Sequence, residues 1–243
     1  MQRLRRYIPN AITCLNLFTG CVAIIFALQN NVVTACMLVG LAAAFDFGDG
    51  MAARLLKAPS EIGKQLDSLA DMVSFGVLPG VLMLKLIERS LTDEQPVDFP
   101  IIDTIPTAAY IGFLISIFSA LRLAKFNIDT RQSTSFIGLP TPACTLFVAS
   151  LPLIIEYDRF NLAPIILQPF TLIALSVILA YLLVAEIPLF ALKFKSLRWG
   201  DNKIRFIFVL CAVALALVLQ VAAVPLIILL YILLSVFSLR FSL

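Results

Sequence analysis

Residues 45–71 read FDFGDGMAARLLKAPSEIGKQLDSLAD and place four aspartates in a chain that is otherwise strongly apolar around them. These aspartates are Asp46, Asp49, Asp67 and Asp71. An acidic side chain at membrane depth costs several kcal/mol unless a partner compensates its charge. Four of them within one apolar region therefore indicate a functional site, and the rest of the sequence shows what surrounds it.

The composition is that of an integral membrane protein. Of the 243 residues, 61% are hydrophobic and only 14% are charged, against about 25% charged in ordinary soluble domains. The mean hydropathy is +1.01. A net charge of +3 is too small to suggest a nucleic-acid partner, so the predicted environment is the lipid bilayer.

The hydrophobic pattern predicts an all-α, polytopic membrane helix bundle with eight transmembrane helices. A bilayer core of about 30 Å requires roughly 20 apolar residues per helical span. The uncharged run 206–239 is too long for one span, so Gln220 and Pro225 are expected to mark a tight hairpin within it. The eight predicted spans are 11–28, 32–56, 70–87, 108–125, 142–155, 165–185, 204–219 and 224–239.

The distribution of basic residues predicts the orientation of these spans. Basic residues favour the cytoplasmic side of a membrane protein. With both termini in the cytoplasm, all of the 18 Lys and Arg except Lys85, Arg89 and Arg159 fall inside. The sequence thus predicts one integral domain, residues 1–243, in the cytoplasmic membrane with the aspartates facing the cytoplasm. Within it, about 9–155 is expected to form the catalytic core and about 163–243 to add further helices.

The lack of histidine and the spacing of the cysteines limit the kinds of catalysis and metal site that the sequence can support. The sequence contains no histidine, so general base catalysis falls to a carboxylate, Lys, Tyr or Cys. Its five cysteines lie scattered in apolar segments without metal-ligand spacing, which argues against a disulfide framework or a zinc site.

The first half of the aspartate stretch shares one helix face. Asp46, Asp49, Gly50, Ala53 and Arg54 stand at i, i+3, i+4, i+7 and i+8, at the predicted cytoplasmic end of the second span.

The second half repeats this arrangement on the next helix. Pro59 and Ser60 interrupt the chain, and Ser60 is a suitable N-cap. Gly63, Asp67 and Asp71 then follow at i+4 spacing. Two helices joined by so short a turn can direct four carboxylates at one another.

Four crowded carboxylates require positive charge. Oxygen ligands of this kind suit Mg²⁺ or Mn²⁺, which in turn bind phosphate oxygens. Arg54 offers a planar donor pair for phosphate, and Gly50, Ala53 and Gly63 leave room for a ligand. The stretch is therefore interpreted as a two-metal diphosphate site. The alternative, a solvated ion network with the neighbouring basic residues, does not explain the interleaved small residues.

The whole pattern, D-x-x-D-G-x-x-A-R-x8-G-x3-D-x3-D, resembles the signature of the CDP-alcohol phosphotransferase family at every position. The resemblance implies that Asp46, Asp49, Asp67 and Asp71 hold two divalent ions and that Asp71 is also the general base. Asn10, Thr13 and Ser74 are then expected to join the glycines, Ala53 and Arg54 in binding the nucleotide and diphosphate.

Three further stretches resemble bacterial phosphatidylserine synthases of the membrane-embedded kind. They are Pro9-Asn10-x-x-Thr13-x-x-Asn16, Ser74-Phe75-Gly76-x-x-Pro79, and Arg122-Leu123-Ala124-Lys125-Phe126-Asn127 with a following Gly138-Leu139-Pro140-x-Pro142. This resemblance implies CDP-diacylglycerol and L-serine as substrates, CMP as product, and a homodimer.

Several of these residues have an equally good structural interpretation. Asn10 and Thr13 also suit the start of the first span, and Ser74 also suits close helix packing. Arg122, Lys125 and Asn127 are expected to contact the acceptor or the donor phosphate, but basic residues at a cytoplasmic helix end also serve as membrane anchors.

Two other functions remain open at this point. The same chemistry with glycerol 3-phosphate or an inositol compound as acceptor differs only in contacts outside the aspartate stretch. An ion-coupled transporter also uses intramembrane acids, although these four cluster at one membrane face and no internal repeat is visible.

Overall fold

The computed structural model describes residues 2–92, 105–129, 135–190 and 199–240. These residues form a helical bundle with one small two-stranded sheet, in agreement with the predicted all-α class. The α-helices are α1 Gln2–Leu28, α2 Val32–Leu55, α3 Glu61–Asp71, α4 Leu78–Leu91, α5 Phe113–Ile128, α6 Thr141–Tyr157, α7 Ala163–Ile166, α8 Pro169–Val184, α9 Trp199–Leu219 and α10 Ala223–Arg240. A π-helix, Met72–Val77, joins α3 to α4, and 3₁₀ turns span Thr107–Gly112 and Gln220–Ala222.

Five helical segments in the described part of the chain are long and apolar enough to cross a membrane: 7–28, 32–55, 61–91, 107–128 and 202–237. Two shorter apolar helices, α6 and α8, lie where the fifth and sixth spans were predicted. The segment 202–237 divides at Gln220–Ala222 into α9 and α10, which pack against each other as the predicted hairpin. The helices thus match the predicted positions, while the number that crosses the bilayer stays a prediction.

The third segment is the centre of the bundle. Of its apolar window 78% is buried, whereas only 11% of the window in 202–237 is buried. Every residue of α4 from Leu78 to Glu88 is buried, and Leu82, Met83 and Ile87 are completely covered. The helix runs without a break from 61 to 91, so it starts nine residues before the predicted span at 70 and carries the second aspartate pair into the core bundle.

The first helix also begins earlier than predicted. α1 starts at Gln2 and contains Pro9, whereas the first span was predicted from residue 11. Asn10 and Thr13 are therefore interior to α1, and their interpretation as its cap and first turn is wrong. A turn at Asn30 and Asn31 then leads into α2, where the Asn31 side chain accepts a hydrogen bond from the Thr34 amide at 3.3 Å.

A short sheet ties the middle of the chain to its last third. Strands β1 Ser135–Ile137 and β2 Pro188–Phe190 pair antiparallel, with Ser135 opposite Phe190. Gly138 follows β1 with a φ of +77°, a conformation that favours glycine. Its backbone lies so close to α8 that a Cβ would be 2.6 Å from the Leu183 carbonyl oxygen. These two strands were not predicted from the sequence.

One ion pair is buried inside the bundle. Lys85 Nζ lies 2.7 Å from Glu88 Oε2, and the side chains are 2% and 5% exposed. Because each charge compensates the other, the pair can sit on a helix that is otherwise apolar. All five cysteines are free thiols.

Candidate active site

The two halves of the aspartate stretch face each other across a tight turn. α2 ends at Leu55, and α3 begins at Glu61. Ser60 is the N-cap of α3, as predicted, since its hydroxyl accepts a hydrogen bond from the Gly63 amide at 3.0 Å. The intervening backbone folds back on α2 through a hydrogen bond from the Ala58 amide to the Ala53 carbonyl at 3.0 Å. The short turn therefore places both aspartate pairs at the same end of the bundle.

Three of the four carboxylates form a compact cluster. Carboxylate oxygens from Asp46, Asp49 and Asp67 all lie within 4.8 Å of one another. Asp49 is buried at 6% exposure, and Asp46 and Asp67 are partly buried. Like charges this close repel strongly where water is scarce, so the arrangement requires a cation or bound protons.

One carboxylate oxygen of the cluster, on Asp49, stands out within the described part of the chain. Within the described residues, Oδ2 of Asp49 is buried and has no hydrogen-bond partner. The Thr13 hydroxyl lies within hydrogen-bonding reach of the Asp49 carboxylate and is also 3.0 Å from the Pro9 carbonyl oxygen. A buried free carboxylate oxygen beside two further carboxylates suits a hard divalent cation, so the residues fit the metal that the pattern implies.

The fourth aspartate lies next to this cluster, one turn deeper along α3. The carboxyl of Asp71 is within hydrogen-bonding distance of Asp46. Nδ2 of Asn16, on α1, donates to Oδ1 of Asp71 at 3.4 Å. Arg122, on α5, is close enough for its charge to act on Asp71. Asp71 therefore lies beside an acid from α2 and an amide from α1, and the charge of Arg122 on α5 acts on it.

A cavity of about 240 Å³ opens beside the carboxylates. α1, α2, α3 and the turn between α2 and α3 all contribute to its wall. The lining residues are Pro9, Asn10, Thr13, Asp49, Gly50, Ala53, Ala58, Pro59, Ser60, Gly63, Lys64 and Asp67. A wider surface depression that includes Tyr7, Glu61 and Ile62 adjoins it and shares Asn10 and Lys64. The structure thus brings Asn10, Thr13, Gly50, Ala53 and Gly63 to one cavity with two of the aspartates.

Two predicted nucleotide or diphosphate contacts lie outside this wall. Arg54 is exposed, and its Nε donates to the Gly50 carbonyl of the same helix at 3.0 Å. It lines a neighbouring depression with Ala53, Lys57 and Pro59. Ser74 is completely buried and donates to the Asn16 carbonyl at 3.1 Å, so its hydroxyl joins two helices.

The three predicted acceptor contacts on α5 have different surroundings. Arg122 is only 6% exposed and its guanidinium lies 5.8 Å from the ring centroid of Phe126. Lys125 is exposed. Asn127 donates through Nδ2 to the Ser68 hydroxyl at 2.9 Å, and thereby contacts α3 between two of the aspartates. Of the three, Asn127 therefore contacts the aspartate helix, Arg122 is buried, and Lys125 is exposed.

Sequence reasoning missed Asn16 and Ser68 as neighbours of the aspartates. Asn16 stood in a recognised motif, and its i+3 spacing from Thr13 was the signal that both share a face of α1. Ser68 gave no signal of its own, because its hydrogen bond to Asn127 joins residues 59 positions apart.

The chain is similar to proteins of a known family. Residues 6–239, nearly the whole chain, match the family described as CDP-alcohol phosphatidyltransferase. The chain belongs to this family. As a CDP-alcohol phosphatidyltransferase it is a transferase, and its long apolar helices make it an integral membrane protein. The family depends on divalent metal, and the clustered aspartates are candidate ligands.

Curated relatives share about a third of the aligned residues. The chain is 39% identical over 136 residues to a CDP-diacylglycerol–serine O-phosphatidyltransferase of Bacillus subtilis, covering 56% of this chain and 70% of the relative. A Helicobacter pylori protein of the same name is 37% identical over 142 residues, covering 58% and 54%. An archaetidylserine synthase of Methanothermobacter thermautotrophicus is 32% identical over 174 residues, covering 71% and 66%.

Proposed function

We propose that this CDP-alcohol phosphatidyltransferase moves the phosphatidyl group of CDP-diacylglycerol to the hydroxyl of L-serine and releases CMP. The observation that carries the proposal is the cluster of carboxylates from α2 and α3 beside a cavity at one end of the bundle. The printed names of the relatives, which include serine or archaetidylserine, support serine as acceptor. Family membership removes the ion-coupled transporter from consideration.

In the proposed reaction Asp71 takes the proton from the serine hydroxyl. The serine oxygen then forms a bond to the phosphorus on the lipid side of the diphosphate, and the bond from that phosphorus to the CMP oxygen breaks. Asn16 holds the Asp71 carboxylate through its amide. A base held by a neighbouring side chain keeps its acceptor oxygen directed at the proton.

We infer that Asp46, Asp49, Asp67 and Asp71 hold two Mg²⁺ or Mn²⁺ ions. Such ions supply positive charge that offsets the charge of the diphosphate and of the departing CMP. Asn10, Thr13, Gly50, Ala53 and Gly63 line the cavity beside them, which supports their role in nucleotide and diphosphate binding. For Arg54 and Ser74 that role requires a change of side-chain partner on binding.

On the acceptor side we propose that Arg122 binds the serine carboxylate, with Lys125 and Asn127 contributing. The support for Arg122 is its burial and the interaction of its charge with that of Asp71. A buried guanidinium is costly without an anion, and a carboxylate matches its planar donors. Asn127 already contacts Ser68, so its contribution includes holding α3.

We further propose that the site faces the cytoplasm. Residues 9–155 are proposed to carry the catalytic core, with 163–243 as additional helices. The protein is also proposed to be a homodimer. The basic residues around the site, among them Arg54, Lys57 and Lys64, support the orientation through the positive-inside rule. Labelling of single cysteines introduced near Lys57 in sealed vesicles tests the orientation, and crosslinking in membranes tests the dimer.

The deciding experiment measures CMP release from CDP-diacylglycerol with serine, glycerol 3-phosphate or inositol phosphate as acceptor. Of the three acceptors, we expect only serine to support CMP release, and we expect no activity in Asp71→Asn. Asp158→Asn is the matched control, because Oδ1 of Asp158 only accepts hydrogen bonds from the Leu162 and Ala163 amides and an asparagine retains that oxygen. Preference for another acceptor, or full activity of Asp71→Asn, would refute the proposal.

A further inference from the structure

The helix that carries Asp67 and Asp71 changes its hydrogen-bonding pattern immediately after Asp71. Residues Met72–Val77 form a π-helix between α3 and α4. π-Helices are rare, short and frequent at functional sites. Ser74, Phe75 and Gly76 within this one are buried, so its irregular backbone lies at the centre of the bundle.

Two hydroxyl groups from outside the aspartate stretch donate to carbonyl groups of the π-helix. Ser116 Oγ, on α5, donates to the Gly76 carbonyl at 2.8 Å. Thr145 Oγ1, on α6, lies 2.9 Å from the Phe75 carbonyl and also 2.9 Å from the Thr141 carbonyl of its own helix. Thr145 is completely buried and Ser116 is 8% exposed, so water does not replace these donors.

A third contact joins the π-helix to α1. Ser74 Oγ donates to the Asn16 carbonyl at 3.1 Å. The same Asn16 donates through its side chain to Asp71. Gly20 allows this approach, because a Cβ there would be 2.3 Å from Ser74 Oγ. Hydrogen bonds thus join three neighbouring helices, α1, α5 and α6, to the six residues that follow Asp71.

The π-helix has a geometric consequence for the aspartates. It accommodates about one extra residue per turn, which rotates the following helix by about 100° relative to a continuous α-helix. This offset allows Asp67 and Asp71 to face α1 and α2 while the residues of α4 fill the core.

We propose that the π-helix Met72–Val77 sets the rotation of Asp71 and that Ser116 and Thr145 are positioning residues that hold it in this form. The inference rests on the proposed role of Asp71 as a metal ligand. Loss of either hydroxyl leaves a buried carbonyl without its donor and favours return to α-helical bonding, which displaces Asp71 from the metal cluster.

The test measures Mn²⁺ affinity of the purified full chain in detergent, without substrates, by electron paramagnetic resonance of free Mn²⁺. The variants are Thr145→Val, which keeps the shape but loses the hydroxyl, Thr145→Ser, which keeps the hydroxyl, and Ser116→Ala. The controls are Ser150→Ala and Ser176→Ala, since these buried hydroxyls donate only within their own helices, to Phe147 at 2.6 Å and Leu172 at 2.8 Å.

We expect Thr145→Val and Ser116→Ala each to bind Mn²⁺ about tenfold more weakly, the usual scale for loss of a buried hydrogen bond. Thr145→Ser and both controls should stay within about twofold of the wild type. A purely structural role would lower the melting temperature and leave the Mn²⁺ affinity of the folded protein unchanged, which would overturn the proposal. If one variant does not fold, the other carries the comparison.

The outcome is independent of the acceptor. A wild type that releases no CMP with serine but shows this order of Mn²⁺ affinities refutes the proposed function and leaves the positioning role intact. If the wild type transfers to serine while Thr145→Val and Ser116→Ala bind Mn²⁺ normally, the proposed function stands and the positioning role is refuted. A wild type that binds no Mn²⁺ overturns the positioning role as well.

Discussion

Asn16 and Asp71 lie 55 residues apart in the sequence, and Nδ2 of Asn16 donates to Oδ1 of Asp71 at 3.4 Å. Asn16 is completely buried, and within the described residues its Oδ1 has no hydrogen-bond partner. The pairing of amide and carboxylate is directional, because only the amide nitrogen can donate to an ionised acid. α1 therefore contributes to the site through a side chain that does not line the main cavity.

Replacement of Asn16 tests this contact. We expect Asn16→Ala to lower kcat for CMP release by about ten- to a hundredfold, because the base loses the group that orients it. KM for CDP-diacylglycerol should change little, since Asn16 is absent from the cavity wall. Gln29→Ala removes an exposed amide just after the end of α1 and should retain full activity. A loss confined to KM would contradict an orienting role.

Asp49→Asn should stabilise the protein without metal and weaken its response to metal. The three clustered carboxylates repel one another within 4.8 Å, and asparagine removes one charge at nearly constant volume. We expect the melting temperature of the metal-free variant to rise by about 2–4 °C. Binding of a ligand to the folded state alone raises stability. We therefore expect Mn²⁺ to stabilise Asp49→Asn much less than it stabilises the wild type.

Thermal unfolding with and without Mn²⁺, after treatment with a chelator, provides the measurement. Asp158→Asn serves again as the control, because Asp158 lies in the turn after α6 and is not part of the cluster. If Asp49→Asn and the wild type gained equal stability from Mn²⁺, Asp49 would not be a ligand.

Gly63→Ala should impair donor binding. A Cβ at this position would lie 2.9 Å from both Asn10 Oδ1 and Ser60 Oγ, and all three residues line the cavity. Ser60 is also the N-cap of α3, so its displacement costs about 1 kcal/mol. We expect KM for CDP-diacylglycerol to rise several-fold, with a smaller change in KM for serine.

Gly40→Ala is the control for that substitution. Gly40 lies within α2, and a Cβ there meets nothing within 4 Å. Alanine is the better helix former by about 1 kcal/mol, so this variant should be active and slightly more stable. Equal kinetics for Gly63→Ala and the wild type would show that the cavity beside Gly63 does not hold the donor.

The aspartate cluster was predictable because its determinants are local. Spacings of three and four residues place side chains on one helix face, and a five-residue turn with a serine cap leaves two such faces little freedom. The composition and the apolar runs likewise sufficed for the helix class and for the hairpin at Gln220.

The rest of the site depends on contacts between distant helices. Residues 72–77 contain no proline, and Ser74 and Gly76 within them are equally common in transmembrane α-helices, so the sequence predicted a plain span there. The donors that accompany it, Ser116 and Thr145, lie 40 and 70 residues from their acceptors. Arg122 and Lys125 also looked equivalent, and only the packing of α5 shows that one is buried and the other exposed.

The burial of Arg122, in contrast to the exposed Lys125, supports a prediction about the acceptor. Arg122 is 6% exposed, its guanidinium lies over the ring of Phe126, and within the described residues its Nε has no hydrogen-bond partner. Arg122→Lys keeps the charge but loses the planar donor pair that fits a carboxylate, and an ammonium group is more costly to bury. We expect KM for serine to rise at least about tenfold, while KM for CDP-diacylglycerol stays near the wild-type value.

Arg159→Lys provides the matched control. Arg159 lies beyond α6 and also stacks on an aromatic ring, at 5.6 Å from the centroid of Phe160, but it is exposed. Kinetics with serine and CDP-diacylglycerol varied separately will distinguish the two ligands. A rise in KM for CDP-diacylglycerol in Arg122→Lys would assign Arg122 to the donor phosphate, and unchanged constants for both substrates would remove it from the site. Lys125→Gln tests the exposed lysine in the same assay. KM for serine rises if Lys125 contacts the acceptor. The constant stays unchanged if Lys125 is only a membrane anchor.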